Sequence, residues 1–215
     1  MPDSRAALWA LTHAERAALA DDLARLDDDQ WSSPSLCGAW TVEDVVAHLT
    51  AGAGTGRMRW LVSVLGARFD FDKHNERRKA EHLGTTPAET LDRFRAIVHS
   101  TTAPSGDIAA WLGEIVVHAQ DIRRPLGLTT TPSIEATTAV AEFFVGRNFT
   151  VPSRTLVEGL RLEATDGSFT HGTGPLVRGT TIALTMAMAS RVTYCDDLTG
   201  PGLPTLRDRI TGNEN

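Results

Sequence analysis

The stretch Asp107-Ile-Ala-Ala-Trp-Leu-Gly-Glu-Ile-Val-Val-His-Ala-Gln-Asp-Ile-Arg-Arg-Pro125 decides how the first half of this chain folds. Its apolar residues recur three and four positions apart, as they do on one face of an amphipathic helix. The aspartate can cap the start of this helix, and the proline ends it. On a helical wheel, Glu114, His118 and Asp121 lie along one flank of the apolar stripe. The sequence therefore predicts a core-facing helix that carries two carboxylates and an imidazole.

Three more amphipathic helices are predicted before this one. The first covers 13–26, with residue 4 as an alternative start, and the pattern Thr12-x-x-Glu15 predicts its N-cap. The second begins at Thr41 and the third at Thr86, where Thr-Pro is typical of a first helical turn. The aspartates and serines that follow residue 26 are interpreted as a loop. Four helices with short to moderate loops indicate a four-helix bundle.

The second half mixes helices with short strands. Two prolines, a glycine and three threonines between Pro125 and Pro132 mark the boundary. We therefore predict a mainly α chain, with a helical domain over 1–128 and a small α+β domain over 133–215. The elements predicted for the second domain are a helix over Ser133–Phe149, a strand from about residue 159, a returning strand over 169–171, and helices over Thr180–Arg191 and Leu203–Ile210.

His48 lies on the second predicted helix, again beside an apolar stripe. Together with Glu114 and His118 it makes a His₂Glu set with one open position, which is a catalytic metal site more often than a structural one. Zn²⁺ suits this set, and Fe²⁺ or Ni²⁺ are alternatives. Asp121 is a candidate catalytic residue that orients His118 or a metal-bound water.

Simpler interpretations of the same residues stay open at this point. His48 can be a histidine at the edge of the core whose hydrogen bonds are satisfied. Glu114 and His118 can pair on an exposed helix flank, and Asp121 can be a surface carboxylate near the end of its helix. A catalytic thiol at Cys37 is conceivable, but the sequence shows no paired base for it, so a small buried residue is the preferred interpretation.

Composition excludes several classes of function. The net charge is −6 and no long basic run exists, so nucleic acid is not an expected partner. No run of about 18 apolar residues predicts a membrane span, and the first residues do not form a secretory signal. The chain has only two cysteines. We therefore expect a reduced, cytoplasmic protein, present as a monomer or homodimer.

Two motifs resemble those of a known family. Ser35-Leu-Cys-Gly-Ala-Trp-Thr-Val-Glu-Asp-Val-Val-Ala-His-Leu49 and Gly113-Glu-Ile-Val-Val-His-Ala-Gln-Asp-Ile-Arg-Arg-Pro-Leu-Gly127 resemble signatures of the mycothiol-dependent maleylpyruvate isomerase family. The resemblance implies a DinB-like bundle at the N-terminus and a sterol-carrier-like α+β domain at the C-terminus. It also implies a zinc ion bound by His48, Glu114 and His118.

The resemblance further implies a thiol-dependent enzyme. Mycothiol, a low-molecular-weight thiol of actinobacteria, would be the cosubstrate, and its sulfur would attack an electrophilic carbon of a small substrate. Bond rotation and expulsion of the thiol would give cis–trans isomerisation, whereas a retained adduct would give S-transfer. An arginine of the second domain would handle the anionic substrate. Arg191 is the best match, and Arg178 is its rival.

Two other functions remain as alternatives. A zinc-bound water would make the protein a hydrolase that works without added thiol. A non-catalytic module would use the metal for stability only and bind its ligand in the second domain.

Overall fold

The computed structural model describes residues 4–54, 80–103 and 106–212, which fall into two units. One unit ends at Thr131 and the other begins at Pro132. Helices dominate both, and a small sheet is present in the second, so the predicted fold class of a mainly α chain with a small α+β part is confirmed. Among the described helices, none has the length and apolar character needed to cross a membrane.

Four long helices form the bundle of the first unit. The helices described in this unit are α1 (Arg5–Leu23), α2 (Asp28–Trp31), α3 (Val42–Gly54), α4 (Pro87–Ala96) and α5 (Ile108–Arg123). α1 and α3 each pack against both α4 and α5, which closes the ring of four. Fully buried apolar side chains fill the centre, among them Leu19, Val46, Phe94, Leu112 and Ile122. Their burial supplies most of the driving force for this arrangement.

N-caps at Thr12 and Thr41 were predicted from short sequence patterns, and the structure confirms the second of them. Thr41 and Asp44 cap α3 as predicted, because the Thr41 N–H donates to Asp44 Oδ2 (3.1 Å) and the Asp44 N–H donates to Thr41 Oγ1 (3.2 Å). The N-cap predicted at Thr12 is wrong, because α1 begins about two turns earlier, at the alternative start predicted at residue 4. Ser4 accepts from the Ala7 N–H, and the Thr12 hydroxyl donates to Leu8 O inside the helix.

The stretch after residue 26 is also more ordered than predicted. Asp27 and Gln30 form a reciprocal capping box, and Asp28–Trp31 is a short helix rather than part of a loop. Trp31 is buried, so the turn serves to insert that ring into the bundle. The composition of this stretch did not indicate a helix, because three consecutive aspartates are more typical of a solvated loop.

The second unit combines helices with a three-stranded sheet. Its elements are α6 (Ile134–Gly146), α7 (Ser153–Val157), β1 (Arg161–Ala164), β2 (Thr170–His171), β3 (Leu176–Gly179), α8 (Thr181–Met188), a 3-10 helix (Val192–Asp197) and α9 (Leu203–Gly212). The strand order is β2-β1-β3, with β2 antiparallel and β3 parallel to the central strand.

Two features of the second unit differ from the prediction. Strand β3 was not predicted from the sequence. It pairs in parallel with β1. The helix predicted over Thr180–Arg191 ends at Met188, because Ser190 takes a left-handed conformation (φ 66°) and a 3-10 helix follows. Strand pairing and a left-handed serine both depend on neighbours that no local pattern reveals.

Candidate metal centre

Helices α3 and α5 place the candidate ligands face to face. The cap at Thr41 sets the phase of α3, and this puts His48 on the side that meets α5. Gly52 lies where α3 meets α5, and a Cβ atom there would be in tight contact with Trp111 Cζ3, at 3.2 Å. The small residue therefore lets the aromatic ring pack against the α3 backbone, one turn from Glu114.

The three ligand atoms converge on one point. Glu114 Oε2 lies 3.4 Å from His48 Nε2 and 3.5 Å from His118 Nε2, and the ligand atoms of all three lie within 4.8 Å of one another. Two atoms bound at about 2.1 Å to a tetrahedral zinc ion are separated by about 3.4 Å. Two imidazoles and a carboxylate at this spacing fit a divalent cation.

The candidate ligands are partly exposed to solvent. The side chains of His48, Glu114 and His118 are 20%, 28% and 12% exposed. These values are too high for a closed structural site, in which four protein ligands shield the ion. A fourth ligand can therefore come from outside the protein.

Charges in the cluster are strongly coupled. Burial raises the pKa of Glu114, but the hydrogen bonds from His118 and His48 and the charges of the two rings together outweigh burial, and the pKa ends well below its usual range. Burial lowers the pKa of His118, whereas hydrogen bonds with Asp121, Cys37 and Glu114 raise it, and the net result is a pKa well above the usual value. In the absence of a metal, a proton on His118 thus balances the carboxylates.

Asp121 holds the imidazole of His118 from its other side. The His118 Nδ1–H donates to Asp121 Oδ2 at 2.9 Å, and the Asp121 side chain is fully buried. An ionised carboxylate only accepts hydrogen bonds, so this contact keeps a hydrogen on Nδ1 and turns Nε2 toward Glu114. The alternative of an exposed surface carboxylate is wrong for Asp121.

Cys37 also reaches this site, which the sequence did not predict. It is partly buried, its side chain is in hydrogen-bond contact with His118, and the neighbouring Leu36 N–H donates to Asp121 O at 3.0 Å. The interpretation of Cys37 as a small buried residue without a paired base is wrong. The base lies on a distant helix, and only the packing of the loop against the end of α5 brings the two together.

An aromatic side chain lies against the second imidazole. The Trp40 and His48 rings have centroids 4.9 Å apart, and the His48 and His118 rings are 5.1 Å apart in an edge-to-face arrangement. Contacts of this kind restrict the rotation of the His48 ring. Trp40 lies just before the Thr41 cap of α3, so the chain that leads into this helix also packs against one of the candidate ligands.

The two candidate arginines belong to the second unit. The Arg191 guanidinium donates to Ala189 O at 2.8 Å, directly after the left-handed Ser190. Arg178 lies on β3, 53% exposed, with its Nε 3.3 Å from Glu163 Oε1. The first unit therefore brings together His48, Glu114, His118 and Asp121, while the role of either arginine stays a prediction.

Comparisons with known proteins support the fold. Residues 12–104 match the family model of the mycothiol maleylpyruvate isomerase N-terminal domain. Crystal structures of the mycothiol-dependent maleylpyruvate isomerase and of a histidine-to-alanine mutant of it match with TM-scores of 0.57 and 0.56. Each comparison covers 90% of this chain and 91% of the other, at 13% and 12% identity, a level at which the likeness shows the fold. No protein with a curated description matches. The chain thus resembles the mycothiol-dependent maleylpyruvate isomerase in two ways: residues 12–104 match the model of its N-terminal domain, and most of the chain shares its fold.

Proposed function

We propose that this protein is a metal-dependent enzyme that uses mycothiol for cis–trans isomerisation or S-transfer on a small, electrophilic and anionic substrate. The observation that carries the proposal is the His48–Glu114–His118 set, which is spaced for a divalent cation and partly exposed to solvent. Zinc is the cation that this set suits best. When bound, such a cation supplies the Lewis acidity that deprotonates a coordinating thiol at neutral pH.

The charge of the ligand set favours a thiolate as the outside ligand. Two neutral imidazoles and one carboxylate contribute a single negative charge, so the site keeps a net positive charge with a divalent cation. An anionic fourth ligand neutralises it, whereas a neutral one does not. Glu114 provides the charge, and His48 and His118 provide neutral donors that leave Lewis acidity intact.

The reaction itself requires a nucleophile and a charge partner. The thiol sulfur adds to an unsaturated carbon of the substrate, and the former double bond becomes free to rotate. Expulsion of the sulfur restores the double bond in the other geometry, and protonation of the adduct instead completes an S-transfer. We propose Arg191 as the cation that neutralises the substrate carboxylate or the developing enolate, with Arg178 as the alternative. Both cysteines are free thiols, in keeping with a cytoplasmic setting, which is also part of the proposal.

Calorimetric titration of the zinc-loaded protein with mycothiol tests the function. We expect saturable binding that disappears in the metal-free protein, and mycothiol-dependent turnover of a small unsaturated acid. Absence of binding at millimolar thiol would reject the proposal. Turnover of esters or amides without added thiol would instead support the zinc–water hydrolase. Unchanged ligand affinity in a destabilised His48→Ala variant would support the non-catalytic module.

Asp121→Asn is expected to lower zinc affinity by about 10- to 100-fold, the usual effect of losing a group that orients a metal-bound histidine. The amide keeps the size of the side chain but removes the charge that faces His118 Nδ1–H. Competition of the protein with a chelator measures the affinity. A purely structural role would lower the melting temperature of the metal-free variant and leave its zinc affinity unchanged, which would contradict this prediction.

Zinc binding should release close to one proton near pH 7. His118 binds a metal through Nε2 only when that nitrogen carries no proton, and its raised pKa keeps the metal-free ring protonated at neutral pH. Zinc affinity should therefore increase with pH until that pKa is passed, and then level off. Calorimetry in two buffers with different ionisation enthalpies counts the protons. Asp121→Asn, which loses a contact that raises this pKa, should release fewer of them, and zero release by the unaltered protein would contradict the assignment.

A further inference from the structure

A second set of potential ligands shares His118 with the first. The Cys37 sulfur, an Asp121 carboxylate oxygen and a ring nitrogen of His118 lie within 4.8 Å of one another. Neither Cys37 nor Asp121 belongs to the His48–Glu114–His118 set. The protein thus offers a sulfur and an oxygen beside an imidazole that also belongs to the first set.

Backbone hydrogen bonds hold this second set in place. The Leu36 N–H donates to Asp121 O at 3.0 Å, and the Cys37 N–H donates to Ser35 Oγ at 3.0 Å. The Trp40 N–H in turn donates to Cys37 O at 3.1 Å. Because these contacts involve the main chain around Cys37 and Asp121, they hold the two side chains next to each other, as preorganised ligands must be held.

The two nitrogens of His118 point to different ligand sets. Nε2 lies 3.5 Å from Glu114 Oε2, and Nδ1 lies 2.9 Å from Asp121 Oδ2. A neutral imidazole has one nitrogen with a lone pair and one with a hydrogen. His118 can therefore serve one set at a time, and the hydrogen moves to the nitrogen that is not used.

We propose that Cys37, His118 Nδ1 and Asp121 form an alternative metal site that takes thiophilic divalent cations and competes with the His48–Glu114–His118 site. Thiolate ligands favour softer cations, so Cd²⁺ gains more from this set than from one of nitrogen and oxygen alone. Binding displaces the Cys37 thiol proton and the hydrogen on Nδ1. The fully buried Asp121 carboxylate accepts the Nδ1–H of His118 in one mode and contacts the cation in the other, so it keeps a partner in both.

Titration of the metal-free, full-length protein with Co²⁺ tests the site, because cobalt bound to a thiolate has a charge-transfer band in the near ultraviolet. We expect the band in the unaltered protein and its complete loss in Cys37→Ser. His48→Ala should keep the band, since His48 belongs only to the first set. Cys195→Ser is the matched control for the other thiol, which is fully buried in the second unit, and should also keep the band.

Three results would overturn the proposal. The first is no band in the unaltered protein at saturating cobalt. The second is a band that survives Cys37→Ser, which would assign it to Cys195. The third is loss of the band in His48→Ala, which would make Cys37 a fourth ligand of the first site. Glu114→Gln gives the same test if His48→Ala fails to fold. None of these arms uses mycothiol, so a negative thiol titration would reject the proposed function and leave this site standing.

Discussion

Glu114→Gln is expected to lower zinc affinity by on the order of a thousandfold and to reduce mycothiol-dependent turnover to background. Protein zinc sites bind with roughly 10–16 kcal/mol, and one ligand of three should account for about 3–5 kcal/mol of that. A thousandfold loss is about 4 kcal/mol and lies within that share, which Glu114 should reach in full because it is the only anionic member of the set and contacts both imidazoles. Glutamine has the same shape, so the change isolates the charge and the metal bond.

Elemental analysis after dialysis against a weak chelator measures this effect directly. The matched control is Asp92→Asn, which removes a carboxylate of the same unit that is 74% exposed and paired with Arg95. The control should keep one zinc per chain and full turnover. Retention of one zinc by Glu114→Gln would show that the metal is bound elsewhere, and the proposed function would fall with that result.

Gly172→Ala is expected to destabilise the second unit by about 4 kcal/mol, at the upper end of effects seen for single substitutions. Gly172 has a φ of 73°, and a Cβ atom there would lie 2.2 Å from Leu160 O. A backbone oxygen cannot move aside as the end of a flexible side chain can. Relief of the clash would separate β2 from β1, because Gly172 follows the paired His171.

Gly159→Ala is an unusually close control for this prediction. Its φ is 72°, and a Cβ atom there would meet nothing within 4 Å. It therefore carries the cost of a left-handed alanine, about 1 kcal/mol, without the clash. Urea unfolding of the full-length protein gives both free energies of unfolding. Equal losses in the two variants would contradict the steric argument.

Local patterns predicted much of the first unit. The spacing of apolar residues in α3 and α5 indicated which faces are buried, and the same spacing placed His48, Glu114 and His118 beside the core. The α3 cap was predicted because both of its partners, Thr41 and Asp44, lie within one turn. A signal is readable from sequence when the atoms that decide it are a few residues apart.

Other features depend on contacts between distant segments. Thr12-x-x-Glu15 matches a capping box, yet burial of one face of α1 against α4 and α5 extends that helix through it. β3 pairs in parallel with β1, and its register depends on neighbours rather than on its own four residues. Cys37 was misassigned for the same reason, since its partners His118 and Asp121 lie on another helix.

By itself, the sequence determined the helix faces, and with them that two imidazoles and a carboxylate would border a bundle core. It did so because a helix converts a spacing of three or four residues into a shared face. Tertiary structure alone decided that α3 and α5 meet at Gly52 and that Glu114 lies about equally far from both histidines. It also decided that Asp121 and Cys37 lie next to His118. Distances between separate helices arise from side-chain packing across the whole bundle, and no spacing along the chain encodes them.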